Sequence, residues 1–178
     1  QSFNKKSIPK NNKKIIFIDN CFGSHPDETT DFSKEEISNL YIELEKFLSY
    51  LEKIFKTKII IASHPKRKKF NDIIFRKRKY YINKTIDLVS KSQLLIGTFS
   101  SSLLYGVLFD KPILLYNSNN IKSLNYIYDL KEWSSSLNIL PINISNDYKF
   151  NKNDLINRFT IKKKYKEKII KEYLSNID

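Results

Sequence analysis

A chain of 178 residues, 40% hydrophobic and 13% aromatic, is long and apolar enough to bury one core, which excludes a disordered basic tail. Its single cysteine, Cys21, excludes an internal disulfide framework, and no apolar run approaches the roughly 20 residues that span a bilayer, so a cytoplasmic location is expected. Thirty-two Lys and Arg against nineteen Asp and Glu leave a net charge of +13, which points to an anionic partner: nucleic acid, an acidic membrane surface, or a phosphorylated or acidic substrate.

The chain begins at Gln1 and contains no methionine, so an upstream part is expected, with the polar, lysine-rich residues 1–13 as a linker or entering segment. Ile15, Ile16, Phe17 and Ile18 then form a short apolar run, the pattern of a strand buried on both faces, followed by a loop from Asp19 to Phe32. Ser33 and Glu36 have the spacing of a capping box, and Ile37, Leu40, Tyr41, Leu44, Phe47, Leu48, Leu51, Ile54 and Phe55 recur at helical spacing behind it. A strand is expected at 58–62, a basic segment of helical character to about Ser92, a strand at 94–97 and a helix from about Ser100. Ile113 to Tyr116 predict a fourth strand. A less regular stretch around Trp133 follows, then a fifth strand at 139–144, interrupted by Pro141. A lysine-rich helix over about 153–175 closes the chain, with Ile156, Phe159, Tyr165, Ile169 and Tyr173 on its inner face. Strands alternating with crossover-length helical segments predict an α/β fold. It is an open parallel sheet of about five strands with helices on both faces, forming one domain over residues 14–178.

In such a sheet a ligand sits beyond the carboxyl ends of the strands, so the residues after each apolar run are the ones to examine. The second run ends in Ser63, His64, Pro65, Lys66 and Arg67. The third ends in Gly97, Thr98, Phe99, Ser100, Ser101 and Ser102 and runs into a helix. His64 and Ser100 stand about one crossover unit apart, which would bring the two loops together on one edge. A helix start offers unpaired N–H groups, serine hydroxyls add donors without bulk, and an imidazole opposite them can hydrogen-bond a phosphate and offset its charge. The plain alternatives are a serine N-cap at Ser100 and a surface histidine at His64.

The stretches Ile59-Ile60-Ile61-Ala62-Ser63-His64-Pro65-Lys66-Arg67 and Leu95-Ile96-Gly97-Thr98-Phe99-Ser100-Ser101-Ser102-Leu103 resemble the HP and serine-pair motifs of bacterial sialyltransferases and polysialyltransferases of the GT-B fold. The likeness covers about residues 14–117. It implies that the chain is the Rossmann-like, nucleotide-sugar-binding half of a glycosyltransferase moving sialic acid or another CMP-activated acidic sugar onto a surface glycan or glycolipid. In that family the HP histidine contacts the donor phosphate and assists its departure while the serine pair binds the same phosphate. Those roles fall here on His64, Ser100 and Ser101, with Pro65, Ser102, Gly97 and Thr98 around them. Gly23 and Ser24 occupy the place of a donor-side turn, and Asp87 lies where relatives often put an acid near the ribose, although a helix surface is the plainer reading. The family's catalytic base belongs to a D/E-D/E-G motif of the N-terminal domain. No such tripeptide occurs in this chain, so the base is expected outside it.

No D-x-D, metal-ligand cluster, P-loop or G-x-G-x-x-G is present, so a metal-free donor site with no resident cofactor is expected. The basic runs Lys66 to Lys69 and Arg76 to Lys79, together with Lys162 to Lys164, Lys166, Lys168 and Lys171, read mostly as solvated faces, with peripheral contact to an anionic inner membrane face as a further role. His25-Pro26 is a second HP pair, ranked below His64 because no long apolar strand precedes it and no basic residues follow it. The remaining alternatives are a nucleotide-sugar epimerase or polyol-phosphate transferase of related fold and, from another class, a basic module binding nucleic acid. For that last reading Tyr80 and Tyr81 beside Arg76 to Lys79 are the one local hint.

Overall fold

The computed structural model describes residues 14–23, 32–68, 70 and 72–174. Among the described residues six parallel strands form one open sheet, one more than the expected number of about five. In chain order they are β1 (Lys14–Ile18), β2 (Ile59–Ser63), β3 (Tyr80–Ile82), β4 (Ser92–Gly97), β5 (Ile113–Asn117) and β6 (Ile142–Asn143), and in space they run β3-β2-β1-β4-β5-β6. The helices are α1 (Lys34–Phe55), α2 (Ile73–Lys77), α3 (Thr85–Ser90), α4 (Leu104–Leu108), α5 (Leu124–Leu137), α6 (Lys152–Arg158) and α7 (Lys163–Leu174). They flank the sheet in two groups: α1 packs with α2, whereas α4 packs with both α3 and α7, and α7 also packs on α5.

Local chemistry explains the secure elements. Ile15, Ile16, Phe17 and Ile18 are all buried, as a central parallel strand covered on both faces requires. At the start of α1 the Glu36 amide donates to Ser33 Oγ at 3.1 Å and the Ser33 amide donates to Glu36 Oε2 at 2.8 Å, closing the capping box. Leu40, Leu44, Phe47, Leu48 and Leu51 form the inward stripe, and each fully buried side chain of this size contributes roughly 1.5–3 kcal/mol. Lys56, in the left-handed conformation at φ 51°, ends the helix and turns the chain into β2.

Three elements differ from the sequence reading. The basic segment before Ser92 is not continuously helical: it holds α2, the edge strand β3 and α3. The fifth expected strand shrinks to Ile142–Asn143, because Pro141 has no N–H to give to a ladder and pairing begins after it. The closing helix is split in two. Phe159 is fully buried and its carbonyl accepts the Ile113 amide at 2.9 Å, so that carbonyl is committed to the sheet and helical bonding stops there.

Among the described residues no helix is long and apolar enough to cross a membrane.

Candidate functional site

Open parallel sheets bind ligands where the strand order reverses. Here the chain steps outward from β1 through β2 to β3, then returns to start β4 on the other flank of β1, so the reversal lies between β1 and β4. Three exits surround it: His64 to Arg67 after β2, Asp19 to Gly23 after β1, and Thr98 to Ser102 after β4. The expected direct apposition of His64 and Ser100 is modified, because β1 pairs with both β2 and β4 and its exit stands between the two loops. Two strand spacings amount to about 10 Å. That is roughly the width of a phosphate with a hydrogen bond of about 3 Å on either side.

Asp19 organises two of these exits. Continuing the parallel register past the ladders puts Ser63, Asp19, Thr98 and Tyr116 in one row across the sheet. The buried Asp19 carboxylate accepts the Cys21 amide at 2.9 Å through Oδ1. Through Oδ2 it accepts Ser63 Oγ and the His64 amide, both at 3.2 Å. Arg67 then closes on it with a fork, Nε to Oδ2 at 2.7 Å and Nη2 to Oδ1 at 2.8 Å. Nη1 of the same arginine reaches Asp72 at 3.1 Å, and Nη2 also donates to the Tyr41 hydroxyl on α1. Burial opposes the Arg67 charge more than any single partner favours it, but the hydrogen bonds and charge attraction of Asp19 and Tyr41 together outweigh it and raise the guanidinium above its ordinary range. Burial also pushes the Tyr41 hydroxyl well up, so it remains a neutral partner.

Arg67 is therefore not part of a solvated basic face, as its place in the Lys66 to Lys69 run implied, and it is not available to a phosphate at the surface. The same correction applies to Arg78, which is buried against Glu45 and Glu52 of α1. Of their neighbours, Lys66, Lys68, Arg76, Lys77 and Lys79 are exposed, with Lys77 paired to Glu45 at 3.0 Å. On α7, Lys163 and Lys168 pair along the helix with Glu167 and Glu172.

His64 is half-buried and opens a tight turn in which the Arg67 amide donates to the His64 carbonyl at 3.1 Å. Pro65 supplies the second position of that turn, where its fixed φ fits. The Lys66 amide donates to His64 Nδ1 at 3.2 Å, so in the neutral ring the proton belongs to Nε2.

Beyond β4, the expected helix begins as a 3-10 turn, Ser101–Leu103, that continues into the short α4. Ser100 caps it: its Oγ accepts the Ser102 amide at 3.2 Å, which is the plain reading of this serine, while its own O–H can still donate. Ser101 is exposed and Ser102 half-buried. So short a helical segment adds little dipole field, and the hydroxyls carry the case for an anion.

The other expected site residues are placed differently. Gly97 is buried beneath the turn, where an added Cβ would stand 3.0 Å from Leu103 Cδ2, so its small size serves packing. Thr98 is fully buried and its Oγ1 has no hydrogen-bond partner among the described residues; Asn20 Oδ1 and the Tyr116 hydroxyl share that condition. Gly23 has φ +69° and an added Cβ would collide with Ile37 Cδ1 at 2.4 Å, so the turn after β1 requires glycine. Ser24 and the second HP pair at His25 lie outside the described residues. Asp87 is exposed on the first turn of α3, a helix that packs on β1, β2 and β4, and exposure on a helix surface is the plainer reading of it.

The reversal crevice itself is filled with rings. Phe22 stands 6.3 Å from Phe99 and 5.5 Å from Phe32, and Phe99 stands 5.5 Å from Tyr126, so a ligand must lie above these rings. An open cleft of about 530 Å³ lies to the β5 side, lined by Ser33, Glu35, Glu36, Asn39, Asn120, Lys122 and Ser123. Its chemistry does not suit a phosphate. Backbone N–H groups of Ser33 and Lys122 hold the Glu36 carboxyl below its ordinary range, so the wall carries negative charge. Among the described residues no three His, Cys, Asp or Glu side chains gather as a metal site.

Asp19 had no role in the sequence reading. Its one visible signal is an acid at the end of a strand buried on both faces, a position that demands strong partners. Comparison with known protein families, characterised proteins and solved structures finds no match for this chain.

Proposed function

We propose that this chain is the donor-binding half of a glycosyltransferase that takes a sugar from a nucleotide, most simply a CMP-linked acidic sugar, and passes it to a surface glycan or glycolipid. The observation that carries the reading is the shared carboxyl edge. His64 and the Ser100 to Ser102 run flank the β1 exit on the same edge, two strand positions apart, and the neutral imidazole has its proton on Nε2. In this reading His64 donates a hydrogen bond to a phosphate oxygen of the donor, and charge growing on the leaving nucleotide strengthens that bond in the transition state. Ser100 and Ser101 hydroxyls hold the same phosphate from the other side. The group that deprotonates the acceptor is not assigned to this chain, and the acceptor is expected to meet the donor from a second domain. Exposed lysines of the long basic runs would hold the enzyme near anionic lipid, where glycolipid acceptors reside.

A thermal-shift panel tests this. CMP without added metal should raise the melting temperature. Ligand at 100 times its Kd adds about 2.7 kcal/mol to the folded state. No shift with CMP, CDP, UDP or GDP would remove the reading.

One observation favours a second reading, a module that binds single-stranded nucleic acid. Tyr81 is 44% exposed on the edge strand β3, between the exposed Lys79 and Lys84, while one face of the neighbouring Tyr80 is already stacked on Phe70 at 4.4 Å. Stacking rings among lysines suit bases and phosphates. A melting shift produced only by an oligonucleotide and abolished by salt would select it.

A further inference from the structure

We infer that the buried Asp19–Arg67 pair is a positioning device for His64: one carboxylate grips both ends of the His64 to Arg67 turn and thereby sets which imidazole nitrogen bears the proton. The functional meaning rests on the donor-site reading above, but the tautomer is a property of the unliganded chain. At the first residue of the turn the His64 amide donates to Asp19 Oδ2 at 3.2 Å. At the last, the Arg67 guanidinium forks onto both oxygens of the same carboxylate at 2.7 and 2.8 Å. Both side chains are almost fully buried, 1% and 2% exposed, in a setting where a bidentate charged pair has a fixed geometry. The turn cannot open without separating them. Held closed, it presents the Lys66 amide to His64 Nδ1 at 3.2 Å, and an amide N–H is compatible only with an unprotonated Nδ1. The proton is left on Nε2, which becomes the donor of the neutral ring on a loop that shares the carboxyl edge of the sheet with the β4 exit. No titration is involved: the device acts on the neutral ring.

Tyr41 on α1 and Asp72 before α2 extend the grip, since both also bind the Arg67 guanidinium. They fix where the turn sits on the helical layer. Tyr41→Phe removes one of these contacts and leaves the fork on Asp19 intact, so it serves as the control.

The tautomer is read directly from two-bond ¹H–¹⁵N correlation of the imidazoles, at a pH well above the ordinary histidine range of about 6.5. The chain has two histidines, and His25→Asn assigns the signals. In the wild type, His64 should show a protonated Nε2 and an unprotonated Nδ1. An ordinary hydrogen bond shifts such a ratio roughly tenfold. In Arg67→Lys, which keeps the charge but not the fork, the Nε2–H to Nδ1–H ratio should therefore fall by about tenfold, and likewise in Asp19→Asn. Tyr41→Phe should leave it unchanged. A wild-type His64 protonated on Nδ1 overturns the inference by itself, whether or not either buried-pair variant folds. So does an unchanged ratio in a folded Arg67→Lys protein. A CMP titration of the wild type separates the two ideas: the expected tautomer without CMP binding removes the proposed function and leaves the positioning device standing.

Discussion

Arg78 donates to Glu52 Oε1 at 3.1 Å with its guanidinium fully buried, and the same group also binds Glu45 one turn pair earlier on α1. A Ser49 hydroxyl at 3.1 Å completes the surround. Arg78 thus ties the segment before the edge strand β3 to the long helix. Arg78→Ala leaves two carboxylates on α1 without their central cation. Removing one partner from such a buried pair costs about 3–5 kcal/mol. Urea denaturation at neutral pH should show a lower midpoint with an unchanged slope, and a midpoint equal to wild type would show that α1 and β3 are held by packing alone.

Which parts of this were legible follows from what each signal encodes. Buried strands announce themselves through uninterrupted apolar runs, so β1, β2, β4 and β5 were found. Tyr80, Tyr81 and Ile82 lie exposed at a sheet edge and offer no such run, so β3 was absorbed into a basic helical segment. A lysine-rich run does not say which of its members turns inward. Arg67 and Arg78 are buried only because Asp19 and Glu45 lie opposite them in space, at separations of 48 and 33 residues. Crossover spacing correctly put His64 and Ser100 on one edge. It could not say that β1 would come between them, since that depends on β4 returning to the other flank of β1.

Gly106 lies where α4 presses onto the sheet. An added Cβ would stand 2.5 Å from Leu95 Cδ1 and 2.9 Å from Ile113 Cδ1, both on fully buried side chains. Gly106→Ala should therefore destabilise by about 1–3 kcal/mol through overpacking, against the usual gain from replacing a helical glycine. At Gly97 the nearest neighbour is a single Leu103 methyl at 3.0 Å, so Gly97→Ala should cost less. Melting temperatures in the reverse order would mean that α4 yields more readily than the 3-10 turn.

Acid should weaken the fold through α1. Glu36 is held below its ordinary value of 4.5 by backbone hydrogen bonds from Ser33 and Lys122. At Glu45 burial acts upward, but hydrogen bonds from Arg78, Ser49 and Lys77 outweigh it and the net shift is downward. Carboxyls lowered in the folded state contribute stability that is complete above the unfolded value and is lost as pH falls through the folded one. Asp72 has the opposite sign, since burial raises it and outweighs the attraction of Arg67. The melting temperature should therefore fall as pH drops below about 4.5, with Asp72 offsetting part of the loss. Glu36→Gln should flatten that slope. An equal slope in the variant would remove Glu36 from the acid response.

His64, Ser100 and Ser101 separate binding from folding if the phosphate lies at the proposed edge. His64 is half-buried and its ring has no part in the core, so His64→Ala should melt near the wild-type temperature while losing CMP affinity. If the proposed function holds, the same change should lower transferase turnover by something like 10²–10⁴-fold, as expected for a lost proton donor, with a smaller effect on donor binding. Ser101 is exposed and its side chain is outside the cap, so Ser101→Ala should weaken CMP binding by roughly 1 kcal/mol without altering stability. Ser100→Ala should do both, because Ser100 Oγ also accepts the Ser102 amide, and losing a cap costs about 1 kcal/mol. His25→Ala should change CMP affinity less than His64→Ala. Isothermal titration on variants matched for melting temperature decides the matter: full CMP affinity in a well-folded His64→Ala protein, or a larger loss from His25→Ala, takes His64 out of the donor site.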